Sequence, residues 1–173
     1  MPDYSNLEAY TPAEFFEPQS YVDAFMPKTA NRFVLTNNAG IDSFLVKKVT
    51  RPGITFGDIV IDHVNTKRKL QGKAEWQDVT MTLYDPIIPS GAQQVMDWVR
   101  LGYESATGLA GYPSQYKQDV TINGLGPDGG VTEKWTLKGA FISATEMGEY
   151  DWANDQPLEI SITCKYDYAI LEL

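Results

Sequence analysis

The sequence predicts a mainly β domain, barrel- or sandwich-like, with one short α-helix. Apolar and polar residues alternate along several short segments, the period of strands with one wet face. Turn signals rich in Gly, Pro and Asn separate those segments. Only one stretch has helical spacing. The chain has 173 residues, 43% of them hydrophobic and 21% charged, which suits one globular domain and is too apolar for intrinsic disorder. It contains no internal repeat and no run of apolar residues long enough to span a membrane as a helix.

Residues 1–30 read as an extended arm and residues 31–173 as a single domain. The arm holds Pro2, Pro12, Pro18 and Pro27 without a sustained period. A short helix can begin at Pro12, with Thr11 as its cap. Phe15, Phe16, Tyr21 and Phe25 need apolar cover, so the arm is expected to pack on its own body or on a neighbour. The opening MPDYSNLEAY has neither a basic nor an apolar stretch, so no secretory signal is expected there.

The first strand is expected over Arg32–Thr36, ended by Asn37-Asn38-Ala39-Gly40. The second runs from Phe44 to Val49 and stops at Arg51-Pro52-Gly53. Around Ile59–Val64 both alternating sets contain apolar residues. Val79, Met81 and Leu83 alternate with Thr80, Thr82 and Tyr84, a half-buried strand. Ser90 can cap a helix with Gln93 three residues on, a capping box, and Val95, Trp98 and Val99 form its apolar stripe up to Gly102. Val120 and Ile122 precede a glycine-rich hairpin turn at Gly124–Gly130. Trp135, Leu137 and Phe141 are expected on one face of the next strand. Ile160, Ile162, Cys164, Tyr166 and Tyr168 alternate along the last.

Catalytic chemistry finds little support. One cysteine, Cys164, excludes an internal disulfide, and its place on an apolar face makes it a small core residue. The single histidine, His63, has no nucleophile near it in sequence. Glu146, Glu149, Asp151 and Asp155 lack the glycine and terminal glutamate of an EF-hand. Gly124, Gly126 and Gly129 have dinucleotide-binding spacing but lie between strands, where no helix N-terminus can hold a phosphate. No enzyme, metal or cofactor is expected.

The formal net charge is −9, which disfavours a role in gripping nucleic acid. Residues 1–27 contain no Lys or Arg, whereas Lys47, Lys48, Arg51, Lys67, Arg68, Lys69 and Lys73 cluster against only Asp58 and Asp62. The end of the chain is acidic again, with Glu149, Asp151 and Asp155 in one loop. Either these are fluctuations of a solvated surface, or a basic middle meets an acidic end on a neighbouring copy.

The ordered run from Val60 to Asp85 brings an asparagine and basic cluster to a glycine, then Trp76-Gln77-Asp78 into Val79-Thr80-Met81-Thr82. After it come the helix Gln93–Leu101, Tyr116-Lys117, Lys134-Trp135-Thr136-Leu137-Lys138, Gly148-Glu149-Tyr150-Asp151-Trp152 and the strand to Tyr168. Over residues 30–170 this ordered set resembles the tail tube proteins of contractile-tailed bacteriophages. The first 30 residues are longer and richer in proline than that family suggests.

The resemblance implies a β-barrel-like protomer with its helix on the outer face, carrying Gln93, Gln94, Asp97 and Arg100 toward a contractile sheath. Hexameric rings would stack into a tube through which DNA passes without specific binding, with sheath, baseplate and tail terminator as partners and no membrane. The implied location is the virion tail, after assembly in the host cytoplasm. Contacts between subunits are expected at Lys47, Lys48, Arg51, Lys67, Arg68 and Lys69, meeting Glu149, Asp151 and Asp155. The lumen should be polar or acidic. Two other readings stand beside this one: the inner tube of an injection or secretion system that passes effectors, and a monomeric β-barrel that binds a small ligand.

Overall fold

The computed structural model describes residues 27–37 and 39–172. The expected short helix near Pro12 and the aromatic residues of the arm lie outside them. Phe33–Leu173 forms a unit by itself. Its strands are β1 (Phe33–Asn37), β2 (Val46–Val49), β3 (Ile54–His63), β4 (Thr66–Trp76), β5 (Val79–Tyr84), β6 (Gln118–Leu125), β7 (Val131–Glu146), β8 (Glu159–Lys165) and β9 (Tyr168–Leu171). Helices α1 (Gly91–Gly102) and α2 (Pro113–Tyr116) lie between β5 and β6.

Seven strands form one antiparallel sheet in the order β1-β6-β7-β8-β5-β2, with β9 also paired to β7. β7 joins the two halves. Its first part pairs with β6 and β9, and its last part with β8. β8 and β9 follow one another along the same edge of β7, since Phe141 opposite Lys165 and Lys138 opposite Tyr168 belong to one register. The outermost strands of the sheet, β1 and β2, are not paired with each other. The result is a folded-over, sandwich-like sheet. Its core draws Leu35 from β1, Met81 and Leu83 from β5, Val120 and Ile122 from β6, Leu137 from β7, and Ile160 and Ile162 from β8.

β5 buries Val79, Met81 and Leu83 and leaves the residues between them partly wet, as its alternation predicts. β7 departs from expectation. Three steps along β7, from Leu137 to Ala140, match two along β6, from Val120 to Gln118, so β7 carries an extra residue. Gly139 sits there at φ 64°, a conformation glycine adopts without a steric penalty. Side-chain parity therefore flips, burying Leu137 and Ala140 and removing Phe141 from the Trp135–Leu137 face. Phe141 instead meets the Tyr116 ring edge-on, with centroids 5.9 Å apart. Asp119 fixes the bulge, accepting from the Lys138 ammonium at 2.6 Å and the Gly139 N–H at 3.3 Å. That contact holds the Asp119 carboxyl below its ordinary pKa and raises that of Lys138.

Two other expectations shift. The second strand begins at Val46, because Ser43–Leu45 form a single 3-10 turn that buries Leu45 and exposes Phe44. A four-residue helix at Pro113 adds to the expected one, too short for sequence periodicity to show. Helix α1 follows its signals: the Ser90 hydroxyl accepts from the Gln93 N–H, while Asp85 accepts from the Ala92 N–H at 3.1 Å. Val95 and Trp98 are buried, and the Trp98 indole N–H donates to the Tyr116 carbonyl at 2.9 Å. Among the described residues no helix is long and apolar enough to cross a membrane.

Candidate assembly interface

β3 and β4 form a sheet of their own. They are joined by a two-residue turn, Val64-Asn65, between the paired residues His63 and Thr66. Every residue of β3 is exposed, and in β4 only Gly72 and Trp76 are partly covered. A bulge in β4 brings the strands so close at Gly72 that an added Cβ would lie 2.8 Å from the Gly57 carbonyl oxygen. The ribbon is anchored at its base. Gln77 N–H donates to the Gly53 carbonyl at 2.9 Å, the Tyr166 hydroxyl donates to the Gln77 carbonyl at 2.8 Å, and the Trp76 and Tyr166 rings lie 6.0 Å apart.

An isolated two-stranded ribbon is marginal in water, because it has no core. Here Ile59, Ile61 and Leu70 are 51%, 48% and 53% exposed, and Val64 at the tip is 92% exposed. Val64 also holds φ 48°, a strained value for a β-branched residue. Strain and wet apolar surface on one projecting element are features of a surface meant to be covered.

The predicted cations divide by partner. Lys47 pairs with Glu159 within the protomer and lies 5.4 Å above the centre of the Tyr84 ring; its bond to Glu159 raises its pKa. Arg51 pairs with Glu133, its Nε donating at 3.0 Å. Lys67 meets Asp62 at 3.6 Å and Lys69 meets Asp58 at 3.3 Å, both within the ribbon. Lys48 and Arg68 have no carboxylate partner among the described residues. Glu149, Asp151 and Asp155 lie in the exposed loop 147–158, and none of them pairs with a cation among the described residues. Sequence reasoning weighted the charges and missed the apolar members. The signal was there, in a strand whose two alternating sets are both apolar.

On α1, Gln93, Asp97 and Arg100 point to solvent, the last two bridged at 2.9 Å. Gln94 is turned inward. Its amide donates to Asp42 at 2.8 Å and its oxygen accepts from the Asp42 N–H at 3.1 Å, so it holds the turn before β2. His63 is an exposed residue at the ribbon's end. Cys164 is buried, and burial pushes its thiol up to about 12, far from a reactive thiolate. Among the described residues no cluster of His, Cys, Asp and Glu could hold a metal ion.

The fold of this chain recurs in solved assemblies. A chain from the sheath–tube complex of the extracellular contractile injection system PVC superposes with a TM-score of 0.70 at 18% identity, over 89% of this chain and 97% of that one. The chain has the tube-protein fold of contractile injection systems. A chain from the tube-terminating cap of the anti-feeding prophage gives a TM-score of 0.69 at 18% identity, over 86% and 92% of the two chains. One from that particle's baseplate gives 0.65 at 15% identity, over 85% and 96%. No family profile and no curated protein sequence matches.

Proposed function

We propose that this chain is the tube subunit of a contractile, phage-tail-like particle, with a structural and non-catalytic role. In this reading protomers form hexameric rings that stack inside a sheath, between a baseplate and a terminator. The observation that carries it is the uncovered ribbon Ile54–Trp76, an element that needs a neighbouring copy to bury its apolar surface. Of its cations Lys67, Arg68 and Lys69, the two lysines are paired within the ribbon, and Arg68, with Lys48 at its root, meets the acidic loop of Glu149, Asp151 and Asp155 on that neighbour. Helix α1 presents Gln93, Asp97 and Arg100 toward the sheath.

The finer reading is a conduit for DNA ejection in a bacteriophage tail, assembled in the host cytoplasm. An acidic protein supports it, because a lumen that grips phosphates would stall a passing duplex. The second reading, an injection-system tube that passes effectors, is favoured by the named systems whose fold it shares. Neighbouring genes for capsid and terminase proteins would separate the two.

Negative-stain electron microscopy of the concentrated protein tests the tube itself: rings or tubes are expected. A species that stays monomeric at millimolar concentration overturns the reading in favour of a ligand-binding module. Reversing Lys67, Arg68 and Lys69 together to Glu should abolish assembly and leave the protomer folded by circular dichroism.

A further inference from the structure

The register of the ribbon sorts its side chains onto two unlike faces. Asp58 pairs with Gln71, Val60 with Lys69 and Asp62 with Lys67, so these six share one face. In the outer half of that face the Lys69–Asp58 and Lys67–Asp62 bridges cancel the charge around Val60, while Phe56 and Ile54 share the face nearer the ribbon's base. Ile59 pairs with Leu70, Ile61 with Arg68 and His63 with Thr66 on the opposite face. That face is an apolar stripe with one arginine that has no carboxylate partner among the described residues. A self-neutralised face suits water, and an apolar face with an unmatched cation suits a protein surface carrying acid.

A matching surface lies at one end of the folded sheet. Tyr84, at the end of β5, is opposite Glu159, at the start of β8, and the Asp85 N–H donates to the Leu158 carbonyl at 3.0 Å. Loops 85–90 and 147–158 therefore leave the sheet side by side. They expose Ile87 at 94%, Ile88 at 88%, Tyr150 at 94% and Trp152 at 108%. Glu149, Asp151 and Asp155 share the loop of Tyr150 and Trp152 and pair with no cation among the described residues.

We infer that the Ile59–Ile61–Leu70 face of one copy's ribbon docks on the Tyr150–Trp152 end of a second copy, with Arg68 answering the loop carboxylates. The charge-paired outer half of the other face, from Asp58 to Lys67, stays in water. This rests on the tube reading and names the two surfaces that meet within it. Because the surfaces differ, the contact is heterologous: each copy offers a ribbon to one neighbour and an end to another. Such a contact propagates into rings or helices and cannot close as a two-fold dimer.

Neighbouring residues on opposite faces supply the test. Ile61→Glu should abolish tubes in the electron microscope, whereas Val60→Glu, one residue away, should leave them. Cross-linking adds a reading of place. A chain with Ile61→Cys is mixed with one carrying Trp152→Cys and treated with a short bis-maleimide, the buried Cys164 remaining silent. A linked heterodimer is expected, and it should be lost when Val60→Cys replaces Ile61→Cys. If Trp152→Cys prevents assembly, Ala153→Cys takes its place. Tubes that form normally with Ile61→Glu, or cross-link through Val60 and not Ile61, would overturn this docking and leave the tube reading intact. Failure of the unaltered protein to assemble at all would overturn both.

Discussion

Met81 and Ile61 are each an apolar residue with another apolar residue two positions earlier in the same strand, and their fates differ completely. Met81 is sealed among Leu83, Ile160 and Ile162, whereas Ile61 is half exposed on a ribbon without a core. In the folded sheet, alternation builds the inside of one protomer. In the ribbon the same two-residue spacing builds a surface, and the apolar free energy it stores is released only on covering it. The contrast separates residues that stabilise the protomer from residues that stabilise an assembly.

The largest expected effect tests that separation directly. Ile162→Ala should cost the isolated protomer about 2–5 kcal/mol in denaturant unfolding, as large-to-small changes in sealed cores do. Ile61→Ala should change protomer stability by less than about 1 kcal/mol, since its surface is already wet, and should weaken assembly instead. Equal losses in the protomer from the two changes would erase the distinction.

The two bulges sharpen it. At Gly139 a side chain would meet both a positive φ and the Asp167 carboxylate, so Gly139→Ala should destabilise the protomer by about 1–3 kcal/mol. At Gly72 a Cβ would press on the Gly57 carbonyl and distort only the ribbon. Gly72→Ala should leave the protomer's thermal transition in place and reduce tube formation. The ratio of the two effects, read by calorimetry and by sedimentation, measures how independent the ribbon is.

The smallest expected effect is a pH dependence confined to the body. Asp119 has a folded-state pKa below its ordinary 3.8, chiefly because it accepts a bond from Lys138. A depressed carboxyl contributes stability that is complete above that ordinary value and is lost as pH falls through the folded value. Asp119→Asn should therefore flatten the acid limb of thermal stability below 3.8 and leave the ribbon's cross-linking pattern unchanged. An acid limb identical to that of the unaltered protein would show that the bulge does not depend on this pair.

Residues 79–84, the Ser90 cap and the Val95–Trp98 stripe were legible because each is a local pattern whose period matches the element it forms. The ribbon was legible only in outline, as a cluster of cations from Lys47 to Lys73 around a stretch whose two alternating sets both contain apolar residues. Its faces were not, since they depend on the partner register that sets Lys67 opposite Asp62 and Arg68 opposite Ile61. The inward turn of Gln94 toward Asp42 joins residues 52 apart in the chain, and the pairings of Lys47 with Glu159 and Arg51 with Glu133 join residues still farther apart. No local pattern carries such distances.

By itself, the sequence determined the class of the protein: mainly β, one capped helix, a buried thiol, little catalytic chemistry and a basic middle between acidic ends. Those properties follow from periodicity, capping and composition, which act over a few neighbouring residues. Only the tertiary structure decided that β7 is shared by both halves of the sheet, that Gly139 flips its parity, and that the ribbon stands clear of the core. These depend on which distant strands pair and in which register, and a one-residue shift moves every side chain of a strand to its other face.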